Sequence, residues 1–345
     1  MKRLGPVAVL FFLAPLVAEF LLGNVPVTAF FALPALALLY GSGAILIREV
    51  ARRSGRGWTA IVAFGIAYAL VEEGIATQSL FDQHYVGLDL LSYGFVPAIG
   101  TAGPWLVYML GVHAAWSIAI PIALTETLFA KRGDRPWLGA IGLAVTAVLF
   151  VLGIALTCWF SIRSSSPQFV ASAAQLAAAV VAAVAFVVLG FVVRPPQKPT
   201  TAVAPRPWLV ALATFAAGSV FHLAIRFGPY VVPAAVEVAV ATVVGFAAVA
   251  LIAWWSSRPG WSAGHRLAAA AGGVAVYWWV APLLLAQGGI ANLIGWGVLA
   301  LSSLVLLVFL GRKSQLLGTG SAASSGMARA ASSRYSGSRS MPTLR

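Results

Sequence analysis

The chain has 345 residues, of which 61% are hydrophobic and only 9% are charged. A water-soluble domain carries roughly a quarter of its residues as Asp, Glu, Lys and Arg, so the composition excludes a soluble globular protein and indicates a chain embedded in lipid. The formal net charge is +13, but the basic residues lie in short segments between apolar runs. No soluble basic domain exists, which excludes a nucleic-acid-binding protein.

Ten apolar segments approach the roughly 20 residues that a helix needs to cross the hydrocarbon core. The sequence therefore predicts an all-α, polytopic membrane protein, with a transmembrane domain over residues 1–311. The predicted spans lie near residues 6–22, 26–47, 58–80, 103–130, 137–162, 168–193, 208–225, 231–255, 267–286 and 290–310. The segment 312–345 is rich in Ser, Gly, Ala and Arg, which predicts a disordered, basic, cytoplasmic tail.

The basic residues predict how the spans are oriented. If the N-terminus is cytoplasmic, 20 of the 22 Lys and Arg residues fall in cytoplasmic segments. Cytoplasmic loops carry such an excess of Lys and Arg, so we predict cytoplasmic termini and a cell membrane of the bacterial inner-membrane type. The lipid bilayer is then the principal partner, and no nucleic-acid partner is expected. The single cysteine, Cys158, excludes an intrachain disulfide bond.

Two adjacent acids, Glu72 and Glu73, lie inside the third predicted span. Ionisable side chains at membrane depth are energetically costly and therefore indicate function. The helical rise places the histidine of the fourth span, His113, in the same outer half of the membrane. We predict an outward-facing polar site in which Glu72, Glu73 and His113 are catalytic. Three further side chains are expected at the same depth: Glu19, His222 and Glu237.

Helical spacing assigns neighbours to these residues. Tyr68, Glu72 and Ser79 are four and seven residues apart and share a face, and Glu73 with Thr77 forms the adjacent stripe. His113 shares its face with the residue four positions later. The side chains expected to contact the substrate or to support the catalytic residues are Thr77, Ser117, His222 and Arg226.

The paired acids and the later histidine resemble the CPBP family of intramembrane glutamic proteases, the CAAX-protease and bacteriocin-processing group. That family has two glutamates, three residues and an arginine; this chain has Thr77 at the arginine position. The second family motif, phenylalanine, three residues and histidine, reads Met109–His113 here. The third, a histidine followed four residues later by a polar residue, corresponds to His222 and Arg226. The resemblance covers the third and fourth spans, and it implies a glutamate-dependent hydrolase or an inactive relative.

Other classes of function fit the same residues. Intramembrane acids with histidines are typical of proton relays, which favours a proton- or cation-coupled transporter as the alternative. Glu73, His113 and His222 are also ligand types for zinc, but no short metal-binding motif occurs, and we expect no metal and no cofactor. Nucleotide-binding motifs are absent from the sequence. The expected substrate is a membrane-embedded peptide or a small molecule.

Overall fold

The fold was analysed in a computed structural model, which describes residues 4–165, 167–194, 201–285 and 289–336, without the side chains of Tyr230 and residues 315–336. In these ranges nine helices are long and apolar enough to cross a membrane, and a shorter apolar helix covers Gly5–Leu21. The prediction of an all-α, polytopic membrane fold with about ten transmembrane helices is confirmed. The described residues contain one small sheet, in which β1 (Phe95–Val96) pairs antiparallel with β2 (Thr101–Ala102).

The α-helices follow the order of the predicted spans. They are α1 Gly5–Pro15, α2 Leu33–Arg53, α3 Trp58–Val71, α4 Gly103–Val112, α5 Ile120–Leu128, α6 Ala140–Ser164, α7 Ala173–Val192, α8 Pro207–Phe227, α9 Ala234–Ser256, α10 Ala263–Leu285 and α11 Ile290–Ser336. Short 3₁₀ turns occupy Val27–Ala32, Tyr85–Gly87, Ala130–Arg132 and Gly228–Tyr230.

The last helix enters the segment that the sequence assigns to a disordered tail. Helical backbone continues to Ser336, although the apolar part of membrane length ends at Ser314. A disordered tail over 312–345 and cytoplasmic termini therefore stay predictions. Residues 337–345 lie outside the described ranges.

Three π-helical turns interrupt the buried spans. They cover Leu16–Leu21 after α1, Glu72–Ala76 after α3, and His113–Ala119 between α4 and α5. In a π-helical turn the N–H of residue i+5 donates a hydrogen bond to the carbonyl oxygen of residue i. The Thr77 N–H, for example, donates to the Glu72 carbonyl oxygen at 2.7 Å. Such widened turns are rare and are frequent at functional sites. Each carries an ionisable residue that the sequence placed at membrane depth, so we call them the three wide turns.

The helices divide into an inner and an outer set. α3 and the continuous span from α4 to α5 are the most buried, whereas α6, α7, α9 and α11 expose most of their apolar side chains. Large exposed apolar residues, such as Ile141 and Val181, are what helices present to lipid tails. α6 packs mainly on α2, and α7 packs mainly on α3. The wide turns therefore lie inside the bundle, behind a layer of lipid-facing helices.

A network of buried charges lies at the end of the bundle where α3 begins, opposite the end that carries the wide turn after α3. Arg48 and Arg52 on α2 bind Glu126 on α5, with the shortest contacts at 3.1 Å and 2.7 Å. Arg48 also pairs with Glu49 at 2.8 Å, and its guanidinium lies 3.6 Å from the ring centre of Trp137. Because the charges are paired and hydrogen-bonded, they are tolerated away from water. We refer to Arg48, Glu49, Arg52 and Glu126 as the inner charge network.

Gly41 allows α1 and α2 to approach closely. A Cβ atom at this position would lie 2.7 Å from Cα and 2.8 Å from the carbonyl carbon of Phe11. We expect Gly41→Ala to lower the free energy of unfolding by about 1–3 kcal/mol, because the backbone of α1 would have to move. Thermal unfolding in detergent micelles measures this loss. Gly245→Ala on α9 is the matched control, since a Cβ there meets no atom within 4 Å; equal losses in both variants would contradict the close approach.

Candidate functional site

Three predicted catalytic residues meet where the third wide turn packs against the end of α3, beside the second wide turn. Nε2 of His113 lies 2.7 Å from Oε1 of Glu73, and Nδ1 lies 3.1 Å from Oε2 of Glu72. All three side chains are buried. A regular helix directs adjacent residues about 100° apart, yet both acids reach the same imidazole ring. The widened turn at Glu72–Ala76 and the ring's two nitrogens together make this arrangement possible. We refer to these residues as the Glu–His cluster.

Glu73 is held by donors on both of its oxygens. Its Oε2 accepts hydrogen bonds from the hydroxyl of Thr77, at 3.0 Å, and from the hydroxyl of Ser79. The indole N–H of Trp105 in turn donates to the Ser79 hydroxyl at 3.2 Å. With His113 on Oε1, the carboxylate of Glu73 is fixed in place. The loop after α3 is thereby attached to the cluster.

Glu72 is held less fully than its neighbour. Its Oε2 approaches Nδ1 of His113, but the geometry is not that of a hydrogen bond, and this oxygen forms no hydrogen bond of regular geometry within the described part of the chain. The residue is only 1% exposed. A buried carboxylate oxygen with spare hydrogen-bonding capacity is unusual and requires an explanation. Glu72 therefore has an oxygen free to bind a water molecule or a substrate proton.

The ring of His113 is oriented from several sides. Its Nδ1 lies 3.0 Å from the hydroxyl of Ser117, which begins the next turn of the same segment. The rings of Tyr40 and Tyr68 each pack with centroids 6.0 Å from the imidazole. The hydroxyl of Tyr68 is buried beside the carboxyl of Glu72 and forms no hydrogen bond of regular geometry among the described residues. The structure thus brings Thr77 and Ser117, both predicted to support the site, against Glu73 and His113.

The first wide turn adds a third carboxylate beside the cluster. Glu19 accepts a hydrogen bond from the hydroxyl of Tyr40, the residue whose ring packs on His113. The side chain of Asn24 donates to the other oxygen of Glu19 at 2.6 Å. Sequence reasoning placed Glu19 at this depth but missed Tyr40 and Asn24. A signal was present, because a buried acid requires donors and these are the nearest polar side chains in the adjoining turn and helix.

His222 lies in an aromatic cage and not in the Glu–His cluster. Its ring packs against Tyr108, Trp116, Phe221 and Tyr277, with centroid distances of 5.0–5.8 Å. The group of metal-ligand side chains that the structure brings together contains Glu72, Glu73 and His113 without His222. Trp116 belongs both to this cage and to the wide turn that begins at His113. The indole ring of Trp116 therefore lies between His222 and the segment that carries His113. Its role in substrate binding stays a prediction.

Two further intramembrane residues are also apart from the cluster. Arg226, one helical turn after His222, is half-buried at the end of α8. Glu237 on α9 is 1% exposed and lies against Gly228. The structure therefore brings Glu19 close to Glu72, Glu73 and His113, and the shared cavity stays a prediction. Among the described residues, no contact joins Arg226 or Glu237 to these four.

The cluster is suited to proton transfer. Glu72, Glu73 and His113 each offer one ligand atom, and these atoms lie within 4.8 Å of one another. A metal on Nδ1 of His113 would leave Glu73 on Nε2 as the orienting carboxylate, a common arrangement. Only two protein ligands would then remain, whereas catalytic zinc sites have three. An acid, a base and a hydrogen-bonded imidazole within direct reach are instead the components of general acid–base chemistry.

Comparison with known proteins assigns the chain to a family whose description states no function. No curated protein and no solved structure matches the chain. A family model described as an uncharacterized membrane protein family matches residues 8–317. The match includes all three wide turns and the inner charge network, and it covers most of the sequence. The chain therefore belongs to this uncharacterized family of membrane proteins.

Proposed function

We propose that the protein is an intramembrane hydrolase that resembles the CPBP glutamic proteases. The observation that carries the proposal is the position of His113 between two buried carboxylates, of which one is fully bonded and the other has a free oxygen. Two acids with different surroundings can take different roles in one reaction. The substrate is a molecule with a hydrolysable carbonyl group that enters from the membrane.

In the proposed reaction Glu72 is the general base. It accepts a proton from a water molecule, whose oxygen attacks the carbonyl carbon of the substrate and forms the new C–O bond. The carbonyl π electrons move to oxygen, and the buried Tyr68 hydroxyl donates a hydrogen bond that stabilises the resulting oxyanion. When the intermediate collapses, the bond to the leaving group breaks, and Glu72 returns the proton to that group. The products are a carboxylic acid and the released amine or alcohol.

Glu73 is a positioning residue in this scheme. Its oxygens are already bonded to Thr77, Ser79 and His113, so it orients the imidazole. The hydroxyl of Thr77 stands at the position of the family's arginine and still donates to the paired acid. The missing cation is thus replaced by neutral donors. Glu19 and Tyr40 supply the third side of the site, where the resemblance implied His222 and Arg226.

The experiment that tests this proposal requires no known substrate. Purified protein in nanodiscs is incubated with membrane extract in water enriched in ¹⁸O, and peptides and lipids are searched by mass spectrometry. Hydrolysis places one heavy oxygen in each new carboxylate. We expect labelled products with the wild type and none above background with the double variant Glu72→Gln and Glu73→Gln. Glu237→Gln is the matched control, since it removes a buried acid apart from the cluster. Equal product from all three proteins would overturn the proposal.

A proton-coupled transporter is the second candidate function. The observation that favours it is the row of ionisable groups from Glu19 through Tyr40 to the Glu–His cluster, which is long enough to pass a proton between helices. In liposomes containing a pH-sensitive dye, this function predicts a proton flux that is lost in Glu19→Gln. A hydrolase predicts labelled products and no flux. The two measurements therefore separate the candidates.

A further inference from the structure

We infer that the groove between α6 and α7 binds one hydrocarbon chain of an acylated substrate, whose carbonyl group then lies at the Glu–His cluster. This inference rests on the proposed hydrolase and adds the class of its substrate. The groove has a volume of about 360 Å³ and is lined by α2, α3, α6 and α7. It forms because α6 packs on α2 while α7 packs on α3, which leaves a gap between the two outer helices.

The groove is apolar and opens sideways into the membrane. Small residues form its floor, among them Gly43, Ala67 and Ala183. One rim is formed by Val180, Val184 and Val187, which are 38–55% exposed. Because every lining residue except Tyr68 is apolar, the chemistry of the groove fits a hydrocarbon chain and excludes a polar ligand.

The groove adjoins the Glu–His cluster through Tyr68. Tyr68 lines the groove, and its ring lies 6.0 Å from that of His113. Val71 and Ile75, which flank the two acids in the sequence, also line the groove. From there the groove follows α3 back to Phe64, away from the loop after α3 and toward the middle of the membrane. A lipid in the nearer leaflet has this orientation, with its carbonyl near the surface and its tail toward the centre.

The dimensions favour a single chain over a transmembrane helix. Between Phe64 and Ile75 the groove is about 16 Å long, from the helical rise of 1.5 Å per residue. A helix of that length and about 10 Å in diameter occupies roughly 1,200 Å³, which exceeds the empty space of about 890 Å³ in the groove. A helical peptide would therefore have to separate α6 from α7, whereas a hydrocarbon chain fits without that movement.

Photocrosslinking and turnover test the inference together. The protein is placed in nanodiscs that contain phosphatidylcholine with a diazirine in one palmitoyl chain, and crosslinked peptides are mapped. We expect labelling to concentrate on Val71, Ile75 and Ala183. Val184→Trp should lower that labelling several-fold and reduce ¹⁸O-labelled product, and those products should carry an acyl chain. Val181→Trp is the matched control, because Val181 is 69% exposed on the same helix and does not line the groove.

The outcomes distinguish this inference from the proposed function. Labelling spread evenly over the lipid-facing surface, including Val181, would show annular lipid only and overturn the inference. Labelled products without an acyl chain, or equal turnover in the two tryptophan variants, would also overturn it. If the groove is labelled in wild type and in Glu72→Gln, but no ¹⁸O-labelled product forms, the hydrolase proposal fails while the groove remains a lipid site.

Discussion

Replacing Glu72 alone with glutamine is expected to lower the rate of product formation by about 10²–10⁴-fold, the usual contribution of a positioned general base. Glutamine keeps the size of the side chain but cannot accept a proton from water. The spare oxygen of Glu72, buried and 3.1 Å from Nδ1 of His113, is the basis for the expectation. The rate is measured in nanodiscs from the initial appearance of the ¹⁸O-labelled product.

Glu73→Gln is the informative comparison for that variant. A positioning residue acts through His113, and loss of such an orienting carboxylate typically costs about 10–100-fold. Glutamine can still accept hydrogen bonds from Thr77 and Ser79 through its amide oxygen, which preserves part of the arrangement. If Glu73→Gln were the more damaging change and Glu72→Gln nearly neutral, the assigned roles of the two acids would be reversed.

Removal of one acid from the inner charge network is expected to have the largest effect on stability. Glu126→Ala leaves Arg48 and Arg52 without their shared carboxylate, and Arg48 is fully buried. Removing one partner of a buried ion pair typically costs about 3–5 kcal/mol, because the remaining charge is uncompensated. We expect a loss of this size in the free energy of unfolding, measured by denaturant titration in mixed micelles.

Asp134→Ala is the control for Glu126→Ala. Asp134 also faces Arg52, at 3.8 Å, but its side chain is 72% exposed. Exposed ion pairs contribute about 0–1 kcal/mol, so this variant should unfold almost as the wild type does. Similar losses from the two substitutions would mean that burial does not set the strength of the network.

The sequence was sufficient to predict the membrane class, whereas the depth of the polar residues in the bilayer stays a prediction. Hydropathy and length alone indicated the spans, because a helix in lipid must be apolar for most of its length. The meeting of Glu72, Glu73 and His113 was also within reach, since the cost of burying each of them suggested a shared site. These arguments use only the position of each residue along the membrane normal, which follows from its position along the helix.

Contacts around the helix axis were harder to predict. The spacing of seven residues put Ser79 on the face of Glu72, but its hydroxyl bonds to Glu73. The regular period fails here for two reasons: the wide turn inserts an extra residue, and the chain then leaves the helix at Gln78, whose φ of 58° is in the left-handed region. His222 was likewise predicted at the depth of the cluster, but its ring lies in an aromatic cage, because a residue's position along a helix does not specify which neighbouring helix its side chain contacts.

The inner charge network also bears on the order in which the chain is assembled. The predicted orientation depends in part on Arg48 and Arg52, yet Arg48 is fully buried and the side chain of Arg52 is only 6% exposed in the finished fold. Their partner Glu126 comes 74 residues after Arg52, so during synthesis α2 reaches the bilayer while these arginines have no partner on α5. At that stage they are free to hold the end of α2 on its predicted side of the membrane, and only later are they enclosed. Glu126→Ala should accordingly weaken the folded bundle without inverting any helix.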